Sequence, residues 1–397
     1  MILVELVESL YSTESGRIME SNRIRILHVV GGLNRGGTET WLMHVLRNID
    51  RDRFQMDFLV HTPNKCSYDD EAQELGARII YNPNPKNPLL YGYNFIRNYR
   101  KYGPYDIVHS HVHHYSGYVL FLAWLCGVPT RIAHSHSDTR KTEEGQGLFR
   151  RSYLQAMEMA IKKYATQGIA ASRRAAESLF GPGWESDPRW QILYCGIDLE
   201  PFKKSVDKTS IRENVGIPEK SYVIGHVGRF AEQKNHKFLM QIAAEIVKRM
   251  DDVYFLLVGD GPLRQRMMER AEELGLKERI IFTGVRSDIP DLMLGAMDLF
   301  LFPSLYEGLP VSLIEAQASG LPCLISDVIA EEADIIKPLI HRLSLNLPAP
   351  AWAERIEEIR LIHNNGKNVN VLEYIENSPF NIVRGIEELE KAYNENG

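Results

Sequence analysis

The chain has 397 residues, 44% hydrophobic and 25% charged, with a net charge of −6 at pH 7, the balance of a folded globular protein long enough for two domains. That acidic balance excludes a generally basic nucleic-acid binder, and no apolar run approaches the roughly 18 to 20 residues that cross a bilayer. Four scattered cysteines, Cys66, Cys126, Cys195 and Cys323, form no Cys-x-x-Cys pair, so a disulfide framework and a thiolate zinc site are both excluded and a reducing, cytoplasmic setting is expected.

The opening MILVELVESLYSTESGRIME lacks the basic start, long apolar centre and small-residue cleavage site of a signal peptide. Residues 1–22 are expected to be an extension, with Met19 an alternative start ahead of the first strand. From Arg23, β-branched runs alternate with amphipathic stretches, the pattern of a parallel sheet covered on both faces. RIRILHVV, FQMDFLVH, ARIIYN, DIVHSH, TRIAHSH and GIAAS read as strands. Helices are expected over 38–49, 69–75, 89–101, 116–126 and 147–165. A second series, YVIGHVGRF, VYFLLVGDG, RIIFTGV, LFLFPS and PCLISD, alternates with helices expected over 235–250, 263–274, 289–296 and 311–319. The polar stretch from Lys203 to Lys220 reads as a connection. The expected division is therefore a first Rossmann-like domain over 23–200, a second over 201–375, and a C-terminal helix over 376–397, where IVRGIEELEKAY has helical periodicity, packing back on the first domain. Residues 21–195 carry 22 Lys and Arg against 16 Asp and Glu. The excess suits an anionic acceptor or membrane surface, although solvated helix faces account for the same residues.

The first strand runs into GGLNRGGTET. Its glycines, Gly36 and Gly37 among them, permit close approach of the backbone to a ligand, and the helix start that Thr38 is expected to cap offers N–H groups to an anion. Neither the Walker A lysine nor the Gly-x-Gly-x-x-Gly spacing is present. His109, His111, His113, His114, His134 and His136 gather at the carboxyl ends of two neighbouring strands, where open α/β sheets bind ligands. With no carboxylate or thiolate at ligand spacing, hydrogen bonding to a polar ligand is expected ahead of zinc binding. In GHVGRFAEQKN, Arg229 and Lys234 follow a strand and precede a helix, a place from which two cations grip a diphosphate. LFPSLYEGLPVSLIEAQASGLP sets Glu307 before a turn, opens a helix whose N–H groups at Val311, Ser312 and Leu313 face an anion, and puts Glu315 two turns deeper, able to accept from hydroxyls.

Taken in order, GGLNRGGTE, DIVHSH, AHSHS, GIDLEPF, GHVGRFAEQKN, LLVGDGPLR, FTGVRSDIP and FPSLYEGLPVSLIEAQASGLP resemble a retaining glycosyltransferase of the GT-B fold, in the family 4 group that builds bacterial polysaccharides and glycolipids. The resemblance runs from about Arg23 to Asp327. It implies an α/β protein of two Rossmann-like domains with parallel sheets facing across a donor-binding cleft, with the second domain holding a nucleotide-sugar, a uridine diphosphate sugar by the family's prevalence. It further implies that Arg229 and Lys234 bind the diphosphate, Glu315 the ribose hydroxyls, and the N–H groups of Val311, Ser312 and Leu313 the phosphate or sugar. Glu307, first of the family's Glu-x7-Glu, and His136 would face the transferred sugar. Gly37, with Gly36 in the same glycine loop, would approach the diphosphate or the acceptor, and the main chain of Val285 and Arg286 would meet the nucleobase. Two departures stand out. Cys195 replaces the family's frequent asparagine, and VIAEEADIIKPLI lacks the glycine-rich turn usual after Asp327.

The implied reaction is front-face transfer to a saccharide or lipid-linked saccharide, with the leaving phosphate's charge held by fixed cations. No metal or other cofactor is expected, and Asp50-Arg51-Asp52 reads as solvated surface rather than a metal motif. The enzyme would lie in the cytoplasm, peripheral to the inner face of the cell membrane through its basic first half and the apolar-aromatic LLYGYNFIRNYRKY stretch. A nucleotide-sugar epimerase and a non-catalytic sugar-nucleotide-binding subunit are the competing readings. The first needs a further carboxylate pair near the sugar; the second has no need of Arg229, Lys234, Glu307, Glu315 and His136 together.

Overall fold

The strands among the described residues are short, and successive ones are joined by crossovers, so the sheets they build are parallel throughout. The computed structural model describes residues 23–140, 147–363 and 371–394; the extension expected over 1–22 lies outside them. Two units result. One comprises the chain up to Tyr194 together with Gly385 onward, the other Cys195–Arg384.

The first unit contains β1 (Ile24–Val30), β2 (Phe54–Val60), β3 (Ile79–Tyr81), β4 (Ile107–Ser110), β5 (Thr130–Ser135), β6 (Gln167–Ala170) and β7 (Trp190–Ile192), in the order β3-β2-β1-β4-β5-β6-β7. Alternation of side chains splits the central strands between two faces. Leu27, Val29, Val108, Ala133 and Ala170 pack with Tyr91, Phe95, Val119 and Ile161, side chains of the helices Pro88–Tyr102, Ser116–Leu125 and Leu148–Tyr164. The opposite face presents His28, His109 and His134, covered by Trp41 and Tyr393.

Tyr393 belongs to the helix Ile382–Asn394. Its carboxyl-terminal part is tied to the first unit, where Gln167 Nε2 donates to the Ala392 carbonyl at 3.2 Å and Arg53 Nη2 donates to Asn394 Oδ1 at 3.2 Å. Asp50, Arg51 and Asp52 are exposed at the turn before β2, with the Asp50 N–H donating to Glu390 Oε1 at 3.3 Å.

The second unit contains β8 (Tyr222–Val227), β9 (Val253–Val258), β10 (Ile280–Gly284), β11 (Leu299–Phe302), β12 (Cys323–Ser326) and β13 (Ile340–Leu343), in the order β10-β9-β8-β11-β12-β13. Its core sets Ile224, Phe255, Leu257, Leu301 and Leu324 against the helices His236–Ile246 and Ala349–His363, the latter through Trp352, Ala353 and Ile356. The stretch expected as a plain connection from Lys203 to Lys220 instead carries a helix, Lys208–Asn214. Asp207 caps it, its Oδ1 accepting from the Thr209 and Ser210 N–H groups.

Each sheet therefore reverses its strand order once, between β1 and β4 in the first unit and between β8 and β11 in the second. At such a switch point the loops leaving neighbouring strands diverge to opposite faces and open a crevice at the carboxyl edge. The glycine loop after β1, His109 and His111, and the loops carrying Arg229, Lys234 and Glu307 sit at these two places.

Candidate functional site

In the second unit, the loops after β8 and β11 meet in one buried hydrogen-bonded group. Lys234 Nζ lies 2.7 Å from Glu307 Oε1, with side chains only 14% and 6% exposed. Gln233 Nε2 donates to Glu307 Oε2 and to the Tyr306 carbonyl, both at 3.1 Å. Backbone contacts fix the same junction: Leu305 N–H donates to the Gln233 carbonyl at 2.8 Å, and Asn235, left-handed at φ 54°, donates from Nδ2 to the Pro303 carbonyl at 3.1 Å. The Lys234 ammonium also stands 4.5 Å from the centre of the Phe302 ring. Gly228 makes room for its stem, since a Cβ there would come within 3.2 Å of Lys234 Cε. Thus two residues from different motifs, Lys234 and Glu307, act as a pair. The expectation that Glu307 simply faces a sugar omitted this partner.

Arg229 is exposed, and its guanidinium makes no hydrogen bond or ion pair with the described residues. It lies five residues before Lys234 in the loop after β8, a cation not committed among the described residues.

The helix Val311–Ala318 starts at Pro310 without a side-chain cap. Leu313 N–H donates to the Pro310 carbonyl at 3.0 Å. The set of three helix N–H groups expected to face an anion is therefore corrected to Val311 and Ser312, which precede the first intrahelical bond. Glu315 also sits about one turn into this helix, not two. Burial pushes its carboxyl up to about 7, because the charged form loses solvation.

Val285 and Arg286 follow β10. Val285 is exposed, and Arg286 is held by Asp288, its Nε donating to Oδ1 at 2.8 Å.

Two residues that the sequence reading did not place are Gly259 and Gly261, at φ 135° and 155° in the loop after β9. A Cβ on Gly259 would stand 2.1 Å from the Gly228 carbonyl oxygen, and one on Gly261 2.6 Å from that of Phe230. Only glycine lets this loop press against the loop carrying Arg229. The signal was present in the pair of glycines closely following a strand. After Asp327, Gln317 does the work of a missing turn: its Nε2 donates to the Ala333 carbonyl at 2.8 Å and its Oε1 accepts from the Ile336 N–H at 2.9 Å.

In the first unit, the helix after β1 starts at Gly37 with Gly36 as its cap and no side-chain hydrogen bond, so the expected capping by Thr38 is corrected. A Cβ on Gly37 would meet nothing within 4 Å: the loop is open there, and the glycine leaves room above it. The histidines form two short columns on one sheet face. In one, His28 Nδ1 lies 3.0 Å from His111 Nε2, and His111 Nδ1 lies 2.8 Å from His136 Nε2. In the other, the Tyr393 hydroxyl lies 2.9 Å from His109 Nδ1, and His109 Nε2 lies 3.1 Å from His134 Nδ1. The His134 and His136 rings stack at 3.9 Å between centroids, with Trp41 against both.

Strand register explains the assembly. His28 pairs with His109 across β1 and β4, and His109 with Ile132 across β4 and β5, so alternation brings His111, His134 and His136 to the same face. Burial holds the rings neutral, with His28 and His136 both lowered to about 3. His113 lies apart, with Nε2 3.3 Å from the Ser137 carbonyl, and His114 is buried.

The nitrogens of His28, His109 and His111, and those of His111, His134 and His136, fall within 4.8 Å of one another. The facing nitrogens, however, stand at 2.8–3.1 Å, the spacing of hydrogen bonds. Two ligands of one tetrahedral zinc ion, each about 2.0 Å from it, keep about 3.3 Å between them.

Two doubly wound parallel-sheet units, one with a cationic group at its switch point, define the GT-B class of glycosyltransferases. The model of Glycosyltransferase Family 4 matches residues 35–201 and that of Glycosyl transferases group 1 matches residues 207–377; the chain belongs to this family and is a glycosyltransferase. It is 40% identical over 341 residues to EpsF of Bacillus subtilis, named as a glycosyltransferase, covering 85% of this chain and 88% of that one. It is 26% identical over 377 residues to the capsular polysaccharide biosynthesis glycosyltransferase CapH of Staphylococcus aureus, covering 93% and 98%. Among solved structures, HepE of Anabaena with UDP and glucose aligns with a TM-score of 0.76 at 18% identity, over 94% of this chain and 100% of that one. The lipopolysaccharide glycosyltransferase WaaG aligns at 0.71 and 19% identity, over 94% and 99%. Among the described residues no helix is long and apolar enough to cross a membrane.

Proposed function

We propose that this glycosyltransferase moves a sugar from a uridine diphosphate donor to a saccharide or lipid-linked saccharide in polysaccharide, capsule or glycolipid biosynthesis, with retention of configuration and without a metal ion. The observation that carries the reading is the Lys234–Glu307 pair together with the uncommitted Arg229 at the second switch point. A diphosphate brings two to three negative charges. Arg229 meets it as a planar fork, and Lys234 as a compact charge that Glu307 and Gln233 hold in place. The Val311 and Ser312 N–H groups add fixed dipoles at the helix start. Charge that grows on the departing phosphate thus meets donors already oriented, which is where most of the rate enhancement would arise. Glu315 accepts from the ribose hydroxyls, the main chain at Val285 and Arg286 meets the base, and Glu307 and His136 contact the transferred sugar. The acceptor hydroxyl attacks from the face the phosphate leaves, so no protein nucleophile is required.

Donor chemistry is supported by relatives: a galactosyltransferase of Escherichia coli whose name specifies UDP-Gal and a diphosphoundecaprenol acceptor is 30% identical over 228 residues, 56% of this chain, and HepE is solved with UDP-glucose. The test is transfer from a panel of labelled UDP-sugars to lipid-linked saccharides in the presence of a chelator. Product formation with the donor's anomeric configuration supports the reading, and hydrolysis without transfer, or transfer only with added metal, overturns it.

The acceptor side of the reading places the first unit at the inner face of the cell membrane. The helices Pro88–Tyr102, Ser116–Leu125 and Leu148–Tyr164 share one sheet face and present Leu89 (70% exposed), Leu148 (80%) and Phe149 (96%) beside exposed Arg97, Arg150 and Arg151. Apolar side chains flanked by cations suit an anionic lipid surface. Sedimentation with phosphatidylglycerol vesicles at low salt is expected to carry the wild type down, and Leu148→Ser/Phe149→Ser is expected to lower the bound fraction at least threefold. Equal sedimentation of the two would remove this face from membrane contact.

A further inference from the structure

His61 is the first residue after β2, and its N–H donates to the Val30 carbonyl at 3.2 Å, which sets it beside Gly31 at the carboxyl end of β1. One side of its ring is committed and the other is not. Nε2 lies 2.8 Å from the Tyr91 hydroxyl, whereas Nδ1 makes no hydrogen bond to the described residues. The rings of His61, Tyr91 and Tyr115 stand edge to face in all three pairings, with centroids 5.1, 5.7 and 5.2 Å apart and angles of 89°, 85° and 84°. Such a corner holds its shape, because the positive edge of each ring meets the negative face of another.

Tyr115 closes the one-turn 3-10 helix His113–Tyr115 after β4. Since β2 and β4 both flank β1, the loops leaving them meet at the end of β1, and His61 and Tyr115, both half-buried, form a wall at the first switch point. The backbone next to that wall is open: Gly31 and Gly37 are exposed, and a Cβ on either would meet nothing within 4 Å. The Tyr115 hydroxyl is buried without a partner, a second polar group in the corner whose hydrogen bond is unmet.

The wall is also uncharged. Burial lowers the His61 imidazole to about 4, so it is neutral at pH 7, and Lys65, the cation of the same loop, pairs with Asp70 at 2.7 Å. A diphosphate finds no cation here to hold it. A sugar ring finds aromatic surface for its C–H groups and an imidazole nitrogen able to bond a hydroxyl, the mixture of rings and a few placed polar groups that binds small neutral ligands.

We propose that His61 and Tyr115 form the seat of the acceptor sugar in the first unit, and that His61 selects which sugar is taken by bonding one of its hydroxyls through Nδ1. The inference rests on the reading that the acceptor is a saccharide.

Two substitutions separate this role from packing. Glutamine sets its amide where Nε2 stands, keeping the bond to Tyr91 while emptying the Nδ1 position; asparagine does the reverse. Full-length wild type, His61→Gln and His61→Asn, each saturated with UDP, are titrated with the methyl glycosides of glucose, galactose, N-acetylglucosamine and N-acetylgalactosamine and read by saturation-transfer NMR. At least one glycoside is expected to bind wild type, to bind His61→Gln about tenfold more weakly, and to bind His61→Asn within about threefold of wild type. The urea midpoint is expected to be unchanged in His61→Gln and lower in His61→Asn, where the Tyr91 hydroxyl loses its partner. A packing role places the loss of affinity in His61→Asn instead. A loss there as large as in His61→Gln or larger, no loss in either, or no binding of any glycoside to wild type overturns the proposal. If the glycosides bind as expected and no donor supports transfer to a saccharide, the functional reading fails and the sugar seat stands.

Discussion

Lys234→Ala is expected to lower sugar-transfer turnover by about 10²- to 10³-fold, the cost of removing one fixed donor from a developing anion, and also to destabilise the fold. The second effect follows from burial: Glu307 is 6% exposed, and without the ammonium at 2.7 Å its carboxylate keeps only Gln233 Nε2 at 3.1 Å. Breaking a buried pair by removing one partner costs about 3–5 kcal/mol, whereas neutralising both partners is close to neutral. Lys234→Met combined with Glu307→Gln should therefore recover most of the stability lost by Lys234→Ala while recovering none of the turnover. Urea unfolding together with initial rates would separate the two effects. Wild-type turnover in Lys234→Ala would remove the lysine from the reaction, and an unchanged unfolding midpoint would show that Glu307 does not depend on it.

Glu315→Gln is expected to stabilise the protein at alkaline pH and to weaken nucleotide binding there. Burial raises the Glu315 carboxyl from 4.5 to about 7, so the unfolded chain releases this proton about two and a half units earlier than the folded one. An acid with a raised folded pKa costs stability as pH rises: nothing below about 4, an increasing amount between about 4.5 and 7, and a constant amount above, on the order of 3 kcal/mol. The glutamine variant escapes that cost, so its stability should match wild type at pH 4 and exceed it at pH 8. Nucleotide affinity should move in the opposite sense. In wild type it is expected to rise as pH passes through about 7, where the carboxylate forms to receive ribose hydroxyls. In Glu315→Gln it should be about tenfold weaker at pH 8 and flat across that range. Equal stability of the two proteins at pH 8 would show that the carboxyl is well solvated, and an unshifted affinity that it does not face the ribose.

Both predictions rest on residues legible in the sequence, and the reason is physical. Arg229, Lys234, Glu307 and Glu315 lie in loops and a helix start at strand ends, where glycine and proline punctuation marks the position even without coordinates. What stayed hidden was pairing across the sheet. Lys234 and Glu307 are neighbours only because β8 and β11 are adjacent, an order that periodicity along the chain does not encode. His28 escaped notice for the same reason: within HVV it reads as an ordinary strand residue, and its register opposite His109 makes it part of the histidine line. Short edge strands were also missed. β7 has three residues, and β13, IHRL, has four half-buried ones without an apolar run. The helix Ala349–His363 was obscured by Pro348 and Pro350, although proline is tolerated in a first turn, and Lys208–Asn214 by a composition in which a largely buried Arg212 takes the place of an apolar anchor.

The most direct test of the donor site is calorimetric titration of UDP into the purified protein in the presence of a chelator, beside Lys234→Ala and Arg229→Ala. Binding that persists in the chelator and weakens at least tenfold in both variants is the expected result. Binding that appears only with added divalent cation, or that neither substitution alters, would contradict a diphosphate held by these two cations.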